Sequence, residues 1–546
     1  MKLTSALKAR GWKREVLGRY ITLSNGKGIT AKHMGPDKPV PVYGSSSILG
    51  YTDEPLIFSD SIVIGRVGAC GSLQVGKAPC WVSDNAMYVS QMRREIDFDF
   101  LFFLLSYLNL GRLASRTTQP SLSQGPILDH EFLLPPLPVQ ERIVQILQKA
   151  DEIRRKRKDA LDLADTIRRA LFVNMFGEPG NNERSWPVGP LGQLLTPEIQ
   201  RVNPAVAWPD HEFTYIEIAA VHGYRITHPK RLLGRDAPSR ARQVVKAGDI
   251  LYSMTRPNLR NIAVVPEELD RAICTTGFCV LRPKRPEDAP FIFEIVRGDY
   301  FTEAMSRLAE AKSLYPAVDE QQIRSFQVIQ PPERARAHFG SIVQQLSNVE
   351  GSLLKGLTDA EGIFATLLFH AFTGELTAEW EAVNAEWIAA QQAFYERLPR
   401  LLILALIAEK TKRARRSPEV LVTALMKYVF LFQMEGSASH RRLYHFVPYL
   451  YGPFAKELYT DLEKLQEEGL VRVESHPEEE KTRITLADPA RIDEELAALP
   501  DDLKQDVVTV IETYSELDHN ALLKTIYEKY PAYARRSRLK HNKRIQ

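Results

Sequence analysis

Two stretches of the chain carry apolar residues at the three- and four-residue spacings of a helix with one narrow apolar seam. They cover residues 137–180 and 332–380. A narrow seam on so long a helix suits pairing with one other helix, as in a coiled coil, rather than burial in a broad core. We therefore predict two long helices that pair along these seams. The predicted seam residues are Ile143, Leu147, Ile153, Ile167 and Leu171 in the first helix and Ile342, Leu346, Leu353, Ile363 and Leu367 in the second.

The two predicted helices lie in two copies of a degenerate repeat. A Pro pair precedes each helix, in LLPPLPVQERIVQIL from Leu133 and in VIQPPERARAHFGSIV from Val328. Phe-Gly-Glu follows the first helix at residues 176–178, and Phe372, Gly374 and Glu375 follow the second with one extra residue. Pro at the beginning and Gly at the end are typical helix boundaries. The alternative is two unrelated amphipathic helices on separate cores, which the recurrence of both boundaries disfavours.

The segments before the two helices also correspond. Trp12 is matched by Trp186, and DSIVIGRVGACGSLQV from Asp60 is matched by GDILYSMTRPNLRNIAVV from Gly248. Each of these longer segments predicts a strand, a polar turn with Arg, and a second strand. The order predicts an α+β chain. It has a mixed α/β domain at 1–136 (domain 1), a spacer helix at 137–180, a mixed α/β domain at 181–331 (domain 2), a spacer helix at 332–380, and an extension at 381–546.

The extension has a different character from the repeat. Its helical patterns lead to YGPFAKELYTDLEKLQEEGLVRVE, from Tyr451, and then to RITLADP, from Arg483. A helix, a Gly stop, a strand, a charged turn and a second strand predict a mainly helical, winged-helix-like domain. The YGP stretch resembles phage-associated, antitoxin-like domains. Winged helices bind DNA or protein, so this fold does not decide the role of the extension.

The repeat resembles the specificity subunit of type I restriction-modification enzymes. The resemblance covers residues 1 to about 380 and rests on the Trp near each domain start, the strand-turn-strand, the QPSLS turn and PPLPVQERI leading a long helix to Phe-Gly. It implies two target recognition domains, each reading one half of a split asymmetric DNA sequence, and two antiparallel spacer helices that dock methyltransferase subunits. The second copy departs from the pattern, with PPERARAHF in place of PPLPVQERI.

The resemblance also implies the partners. They are double-stranded DNA, two methyltransferase subunits and, through these, restriction or translocase subunits. S-adenosylmethionine, ATP and Mg²⁺ would be bound by the partner subunits, so no cofactor is expected here. The geometry of the helices agrees with a split site. A helix of about 38 residues is roughly 57 Å long, and at 3.4 Å per base pair two readers at its ends would straddle about one and a half turns of DNA.

Candidate DNA-binding residues lie in polar turns. Arg pairs most often with guanine and Asn or Gln with adenine, whereas Lys, Arg and Ser hold phosphates. MTRPNLRN, from Met254, is the densest cluster of such residues. For any single residue the alternative is a solvated turn. The candidates are Lys27, Tyr43, Ser45, Ser46, Arg66, Gln119 and Ser121 in domain 1, and Tyr252, Arg256, Asn258, Arg260, Lys312 and Tyr315 in domain 2.

Charge and composition narrow the remaining functions. A net charge of +3 neither requires nor excludes a polyanionic partner, so local clusters of charge must decide. Four cysteines without C-x-x-C spacing predict neither a disulfide scaffold nor a metal site, and they are consistent with a reducing cytoplasm. The longest aliphatic run, Leu401 to Ala408, is too short to cross a bilayer.

Signatures of catalysis are missing from the sequence. It contains no G-x-x-x-x-G-K-[ST] phosphate loop and no Asn-Pro-Pro-aromatic tetrapeptide that would hold a flipped adenine. We therefore expect a DNA-recognition subunit that is not itself an enzyme. Two alternatives stay open: a coiled-coil scaffold that binds only proteins, and an antitoxin-like or transcriptional regulator that binds DNA through the extension.

Overall fold

The computed structural model of the chain describes residues 4–115, 120–310, 316–413, 418–436, 443–476 and 481–534. Residues 4–176 form α1 (Ser5–Ala9), β1 (Lys13–Val16), β2 (Ile21–Asn25), β3 (Val40–Tyr43), β4 (Ile48–Thr52), β5 (Ser61–Gly65), β6 (Leu73–Gly76), β7 (Trp81–Val82), β8 (Ala86–Met92), α2 (Phe98–Leu108), α3 (Gly125–Leu128), β9 (Glu131–Leu134) and α4 (Leu137–Phe176).

The second copy of the repeat has a similar order of elements. It forms β10 (Val188–Pro190), α5 (Pro204–Ala207), β11 (Glu212–Ile216), β12 (Val221–His222), β13 (Arg225–Ile226), β14 (Lys230–Leu233), β15 (Ala241–Val244), β16 (Ile250–Ser253), β17 (Ile262–Val264), β18 (Ile273–Thr275), β19 (Phe278–Leu281), α6 (Ala289–Arg297), α7 (Asp299–Glu310), α8 (Glu320–Ser325), β20 (Gln327–Ile329) and α9 (Glu333–Thr373).

The extension is mainly helical in its described residues. It forms α10 (Ala378–Val383), α11 (Ala385–Arg413), β21 (Val420–Leu421), α12 (Val422–Glu435), β22 (Val447–Tyr449), β23 (Gly452–Phe454), α13 (Glu457–Glu467), β24 (Val471–His476), β25 (Lys481–Leu486), α14 (Pro489–Ala497), α15 (Asp501–Tyr514) and α16 (His519–Lys529). β21, β25 and β24 form one antiparallel sheet, in that order. The core lies among α11, α12, α13 and α15, which bury Leu404, Phe430, Leu458 and Ile511.

Two compact units make up the chain. One contains residues 1–152 with 362–546, and the other contains residues 153–361. Both boundaries fall inside the long helices α4 and α9, so each unit holds one end of each helix. The extension therefore belongs to the same unit as domain 1.

The central sheets of the two domains share one arrangement. In domain 1, β5 lies between β8 and β6, and in domain 2, β16 lies between β19 and β17, with every pairing antiparallel. The two strand-turn-strand segments matched in the sequence are thus β5–β6 and β16–β17. The sheet also places domain 1 strand β2 beside β8.

Each domain is joined to its long helix by the same kind of junction. β1 pairs with β9 in domain 1, and β10 pairs with β20 in domain 2, immediately before the Pro pair. In the first junction the buried Gln140 side chain donates to the Pro135 carbonyl at 2.9 Å and the Glu95 carbonyl at 3.0 Å, and accepts from the Asp97 N–H at 2.8 Å. These bonds fix the first turn of α4 to domain 1.

The second junction uses a different side chain at the corresponding position. Arg336 donates to the Pro331 carbonyl at 2.6 Å and pairs with Asp288 through bonds of 2.9 and 3.1 Å. Arg336 follows Pro332 at the same interval as Gln140 follows Pro136. PPERARAHF therefore keeps the junction although it departs from PPLPVQERI.

Each unit also packs the end of one long helix against the beginning of the other. In the first unit Ile143 and Leu147 of α4 share a core with Phe364 and Phe372 of α9. In the second unit Phe172 and Phe176 of α4 share a core with Phe339 and Val343 of α9. Within the second unit the side chains of Arg168 and Glu350 form an ion pair between the helices. In both units the helices run in opposite directions.

The seam lies one residue away from several of its predicted positions. Ile143 and Leu147 are buried, and Leu171, Ile342, Leu346, Leu353 and Leu367 are partly buried. Ile153, Ile167 and Ile363 are 46%, 49% and 59% exposed, so these three assignments are wrong. The half-buried or buried positions next to them are Arg154, Arg168 and Phe364. The sequence misled because Arg can take a seam position, as Arg168 does opposite Glu350: its long stem packs while its charged head reaches a partner.

Aromatic pairs hold the helix ends to the domains in both units. Phe372 of α9 packs on Phe100 of α2 with ring centroids 5.3 Å apart. Phe176 of α4 packs edge-on against Phe291 of α6 at 5.1 Å. Phe100 and Phe291 each stand three residues after the Asp that precedes their helix. Each such pair contributes about 0.5–1.5 kcal/mol beyond area burial, and the repetition shows that the two copies share a packing scheme.

The different burial of Leu147 and Ile153 predicts that their replacement by Ala changes the free energy of unfolding by different amounts. Leu147→Ala should lower the free energy of unfolding by about 2–5 kcal/mol, because it removes buried methyl groups and leaves a cavity. Ile153→Ala should lower it by about 0.5 kcal/mol or less, because that side chain is largely exposed. Urea unfolding followed by circular dichroism measures both. Equal losses would contradict the seam described here.

Candidate functional site

In domain 1 three separate turns meet at the end of the central strand β5. The loop that follows β5 (66–72) is tied to residues 120–122 by a bond from the Leu122 N–H to the Arg66 carbonyl at 2.8 Å and by a bridge between Val67 and Ser121. The Ser72 hydroxyl donates to the Ser45 carbonyl in the turn between β3 and β4. Arg66, Ser121 and Ser45, predicted from distant parts of the sequence, therefore lie in one place.

The turn after β2 joins the same group. The Lys27 N–H donates to the Val82 carbonyl at 2.9 Å, and the Gln124 side chain donates to the Asn25 side chain at 3.1 Å. Arg66 reaches the Asp84 carbonyl at 3.3 Å from the other side. The chain at Gly26 passes so close to Ser83 that a Cβ would overlap the Ser83 carbonyl. We call these turns (25–27, 45–46, 66–72 and 120–122) loop cluster 1.

Domain 2 has the same arrangement at the end of β16. The Val318 N–H donates to the Met254 carbonyl at 2.9 Å, Thr255 forms a bridge with Ala317, and the Arg256 N–H donates to the Pro316 carbonyl at 3.0 Å. The loop 254–261 therefore lies beside 316–318 as 66–72 lies beside 120–122. We call these two segments loop cluster 2. Residues 120–122 (PSL) and 316–318 (PAV) thus occupy the same place in the two domains.

The backbone of loop cluster 2 is strained at two arginines. Arg256 has φ 49° and Arg260 has φ 52°, on either side of the turn Pro257–Leu259. Left-handed conformations at non-glycine residues cost on the order of 1 kcal/mol or more, and they occur often at functional sites. The bonds to Pro316 and Ala317 hold this conformation.

The arginines of loop cluster 2 differ in their surroundings. Arg260 is paired with Asp299, and the hydrogen bond between them raises the pKa of the Arg260 guanidinium and lowers that of the Asp299 carboxyl. Arg256 and Asn258 are exposed, and Arg256 has no ion pair within the described part of the chain. Arg256 and Asn258 are therefore polar side chains of this loop that are accessible to an anionic or hydrogen-bonding ligand.

Two candidate residues are in the core rather than at the surface. Tyr252 is 1% exposed, its ring packs edge-on against Phe301 at 5.5 Å, and burial raises the pKa of its phenol. Tyr43 is 7% exposed, and its hydroxyl accepts from the Lys77 N–H at 3.2 Å. Neither can contact a base, so these two predictions are wrong. The polar turns next to them suggested exposure, but both side chains point into the sheet packing.

The other candidates are divided by exposure. Ser46, Ser121 and Lys27 are exposed, and Ser45 and Arg66 are partly buried. Gln119, Lys312 and Tyr315 lie outside the described residues.

Two further arginines, which the sequence pattern does not mark, lie near loop cluster 2. The Arg240 carbonyl accepts from the Thr276 N–H at 2.9 Å, next to Gly277, whose carbonyl accepts from the Met254 N–H at 3.0 Å. Arg225 is exposed on the hairpin β12–β13, where the neighbouring Tyr224 side chain hydrogen-bonds Arg260. In the sequence each of these two arginines lies in a charged turn, and charged turns are common on any protein surface.

The described ranges contain no group of three or more His, Cys, Asp or Glu side chains able to hold a metal ion. Among the same residues, no helix combines the length and apolar character needed to cross a membrane.

Residues 13–163 match the type I restriction modification DNA specificity domain. The EcoprrI specificity subunit of Escherichia coli is 32% identical over 146 residues, which are 26% of this chain and 36% of that protein. The chain thus spans about a third of that relative. The EcoDI specificity subunit of Escherichia coli is 20% identical over 423 residues, which are 70% of this chain and 92% of that protein.

One solved structure with a similar chain is the S subunit of a type I restriction-modification system from M. genitalium. It is 16% identical to this chain with a TM-score of 0.43, and the alignment covers 68% of this chain and 98% of the M. genitalium chain. Over residues 13–163 the chain is therefore similar to the type I restriction modification DNA specificity domain, and over part or most of its length it is similar to specificity subunits of type I restriction enzymes.

Proposed function

We propose that this chain reads a split, asymmetric DNA sequence as the specificity subunit of a type I restriction-modification enzyme. One observation carries the proposal. In both domains the loop after the central strand lies beside the segment that precedes the long helix, and this loop presents an Arg, Arg66 in one and Arg256 in the other. A repeated arrangement with the residue type that most often contacts guanine supports two readers on one chain.

The two readers carry different residues, which supports two unlike half-sites. Loop cluster 1 has Arg66 followed by small residues, with Ser45, Ser46 and Ser121 beside it. Loop cluster 2 adds Asn258 and Arg260 to Arg256 and has Arg225 and Arg240 nearby. Side chains that reach base edges specify sequence, whereas hydroxyls and backbone N–H groups mostly hold phosphates. We expect Arg256 and Asn258 to read bases.

The long helices are proposed as the spacer and as the dock for methyltransferase subunits. α4 is 40 residues long and α9 is 41, so each is about 60 Å long. Methyl transfer and DNA cleavage would belong to partner subunits, which would bind S-adenosylmethionine, ATP and Mg²⁺. The junction at Arg336 supports two equivalent readers, because it replaces Gln140 without loss of the link to the domain.

The alternative regulator would bind DNA through the extension. Helix α13, the helix directly before the hairpin β24–β25, would be its reading helix. Its surface carries Glu457, Glu463 and Glu467, and its Asp461 is buried in an ion pair with Arg94 of domain 1. Acidic side chains repel phosphates, so this arrangement disfavours the regulator. The other alternative is a coiled-coil scaffold that binds only proteins. It predicts no salt-sensitive binding of DNA, whereas our proposal predicts such binding.

Arg256→Ala should relax recognition at one half-site only. The lost base contact should cost about 1–3 kcal/mol on the cognate sequence and little on sequences altered at that half-site. Arg66→Ala should affect the other half-site. Selection of sites from random DNA, followed by binding titrations with the chain and its methyltransferase, measures both.

Tyr252→Phe is the matched control for these variants. It changes a neighbouring side chain whose buried hydroxyl has no hydrogen-bond partner within the described residues, so recognition and stability should stay the same. Equal weakening by Arg256→Ala on every sequence would mean a phosphate contact instead. Recovery of one continuous site, or of none, would contradict a split-site reader.

Adding one heptad to both long helices should lengthen the unread gap. Insertion after Arg157 in α4 and after Gly356 in α9, which lie side by side, preserves the seam in both helices. Seven residues add about 10.5 Å, which corresponds to about three base pairs. Methylation mapping of the variant measures the gap.

The matched control inserts four residues into α4 alone. This shifts its seam against that of α9, so we expect loss of stability rather than a new gap. An unchanged gap in a fully active double-heptad variant would show that these helices do not set the spacing.

A further inference from the structure

We propose that each reader uses an exposed aliphatic side chain, Leu259 in domain 2 and Leu49 in domain 1, to contact the 5-methyl group of a thymine. The inference rests on the proposed function and adds a chemical feature to it: each half-site contains a thymine that is recognised through its methyl group. It follows from two leucines that the fold holds in solvent beside the polar reading turns.

Leu259 lies within the polar loop 254–261 and is 55% exposed. Single exposed leucines are common on protein surfaces, so exposure alone does not mark a binding residue. Here the loop buries Pro257 and leaves Leu259, two residues later in the same turn, in solvent. Its exposed neighbours are Arg256 and Asn258, the two side chains that we expect to read bases.

The backbone holds Leu259 in one position. The Leu259 N–H donates to the Arg256 carbonyl at 2.9 Å, and the Arg260 N–H donates to the Pro257 carbonyl at 3.0 Å. Arg256 and Arg260, on the two sides of the turn, have φ angles of 49° and 52°. Arg260 is also paired with Asp299 of α7. A loop that is already ordered loses little conformational entropy on binding, which favours its side chains as contact residues.

The neighbouring Asn258 indicates which base Leu259 can meet. Asn most often pairs with adenine in the major groove, where the thymine opposite presents its 5-methyl group. Adjacent Cα atoms are about 3.8 Å apart, which is close to the rise of about 3.4 Å between base pairs. Asn258 and Leu259 therefore reach the same base pair or adjacent ones. An aliphatic side chain forms no hydrogen bond, and the thymine methyl is the apolar group that suits it in this groove.

Domain 1 places a leucine beside its reading turns through a different element. The hairpin of β3 and β4 has Ser45 and Ser46 of loop cluster 1 in its turn, and Ile48 and Leu49 follow at the beginning of β4. Both apolar side chains are exposed, Leu49 by 51%. β4 is the outer strand of the sheet β4–β3–β7. Exposed apolar residues on an edge strand invite unwanted pairing unless a ligand covers them.

The turn of this hairpin is fixed to the central sheet of domain 1. The Gln74 side chain of β6 donates to the Gly44 carbonyl at 3.1 Å, and the Ser72 hydroxyl donates to the Ser45 carbonyl. The Leu49 side chain lies over Gly44, so closely that a Cβ at residue 44 would be 2.8 Å from it. Leu49 is therefore held next to Ser45 while about half of its surface faces solvent.

The surroundings of the two leucines favour DNA as the ligand. Leu259 adjoins Arg256 and Asn258, and Leu49 adjoins the serines of loop cluster 1, to which Arg66 also belongs. A protein interface would pair such leucines with a broader apolar patch. A DNA groove instead offers isolated methyl groups between polar base edges and phosphates, which matches isolated leucines among Arg, Asn and Ser.

Replacing single thymines by deoxyuridine tests the inference, since deoxyuridine lacks only the 5-methyl group. Binding of the chain and its methyltransferase is titrated on the selected site and on duplexes with one thymine replaced at a time. In each half-site at least one replacement should weaken binding about fourfold, the fold-change expected for the burial of one methyl-sized group. Leu259→Ala should abolish this loss in one half-site and Leu49→Ala in the other, as a double-mutant cycle measures.

Two variants serve as matched controls. Val206 is exposed on α5, outside loop cluster 2, so Val206→Ala should change neither the affinity nor the effect of deoxyuridine. Leu259→Met keeps an apolar side chain and should keep most of the fourfold loss. Circular dichroism of each variant checks that the fold is unchanged.

The possible outcomes separate the inference from the proposed function. Half-sites without thymine, or deoxyuridine without effect, would overturn the inference and leave the proposed function intact. A loss that persists in an Ala variant would overturn the assignment of that leucine. Increased fluorescence of 2-aminopurine beside the contacted pair would show insertion between bases instead of contact in the groove, and would overturn the inference too. Absence of any sequence preference would overturn the proposed function together with it.

Discussion

The link between each domain and its long helix is the constraint on which the rest of the structure depends. A two-stranded ribbon, a Pro pair and one buried polar side chain join them without a flexible segment, so that the direction of the helix fixes the orientation of the domain. Gln140 makes this link with three hydrogen bonds, and Arg336 makes it with a buried pair to Asp288. Removing one partner from such a buried network leaves another polar group unsatisfied, which is costly.

The two domains and their long helices form a frame that presents two loops with the same backbone arrangement and different side chains. The frame repeats because the packing of strands and aromatic rings repeats, as Phe100 with Phe372 and Phe291 with Phe176 show. The loops diverge because they are held by backbone bonds to residues 120–122 and 316–318, which leave their side chains free to vary. Such an architecture suits a protein whose scaffold stays constant while its specificity changes.

The extension breaks the symmetry of the repeat. Its helix α13 pairs with Arg94 of domain 1, and its helix α11 hydrogen-bonds Glu141 of α4. A similar order of helices and strands can serve DNA binding or protein contact, so this order alone does not assign a role to the extension. The two copies of the repeat therefore have similar folds, and they differ in that the extension packs against the long helix of the first copy.

The sequence by itself determined the repeat, the two long helices, their Pro and Gly boundaries and the matched strand-turn-strand segments, because periodicity and turn residues are local signals. It also placed Arg66, Ser45, Ser121 and Arg256 among the exposed or half-exposed turns. Only the tertiary structure decided that Tyr43 and Tyr252 are core residues and that Ile153, Ile167 and Ile363 lie outside the seam. The reason is that burial depends on neighbours from distant parts of the chain. An Arg can take a seam position when an ion pair meets its charge, as Glu350 does for Arg168, and no local pattern records that partner.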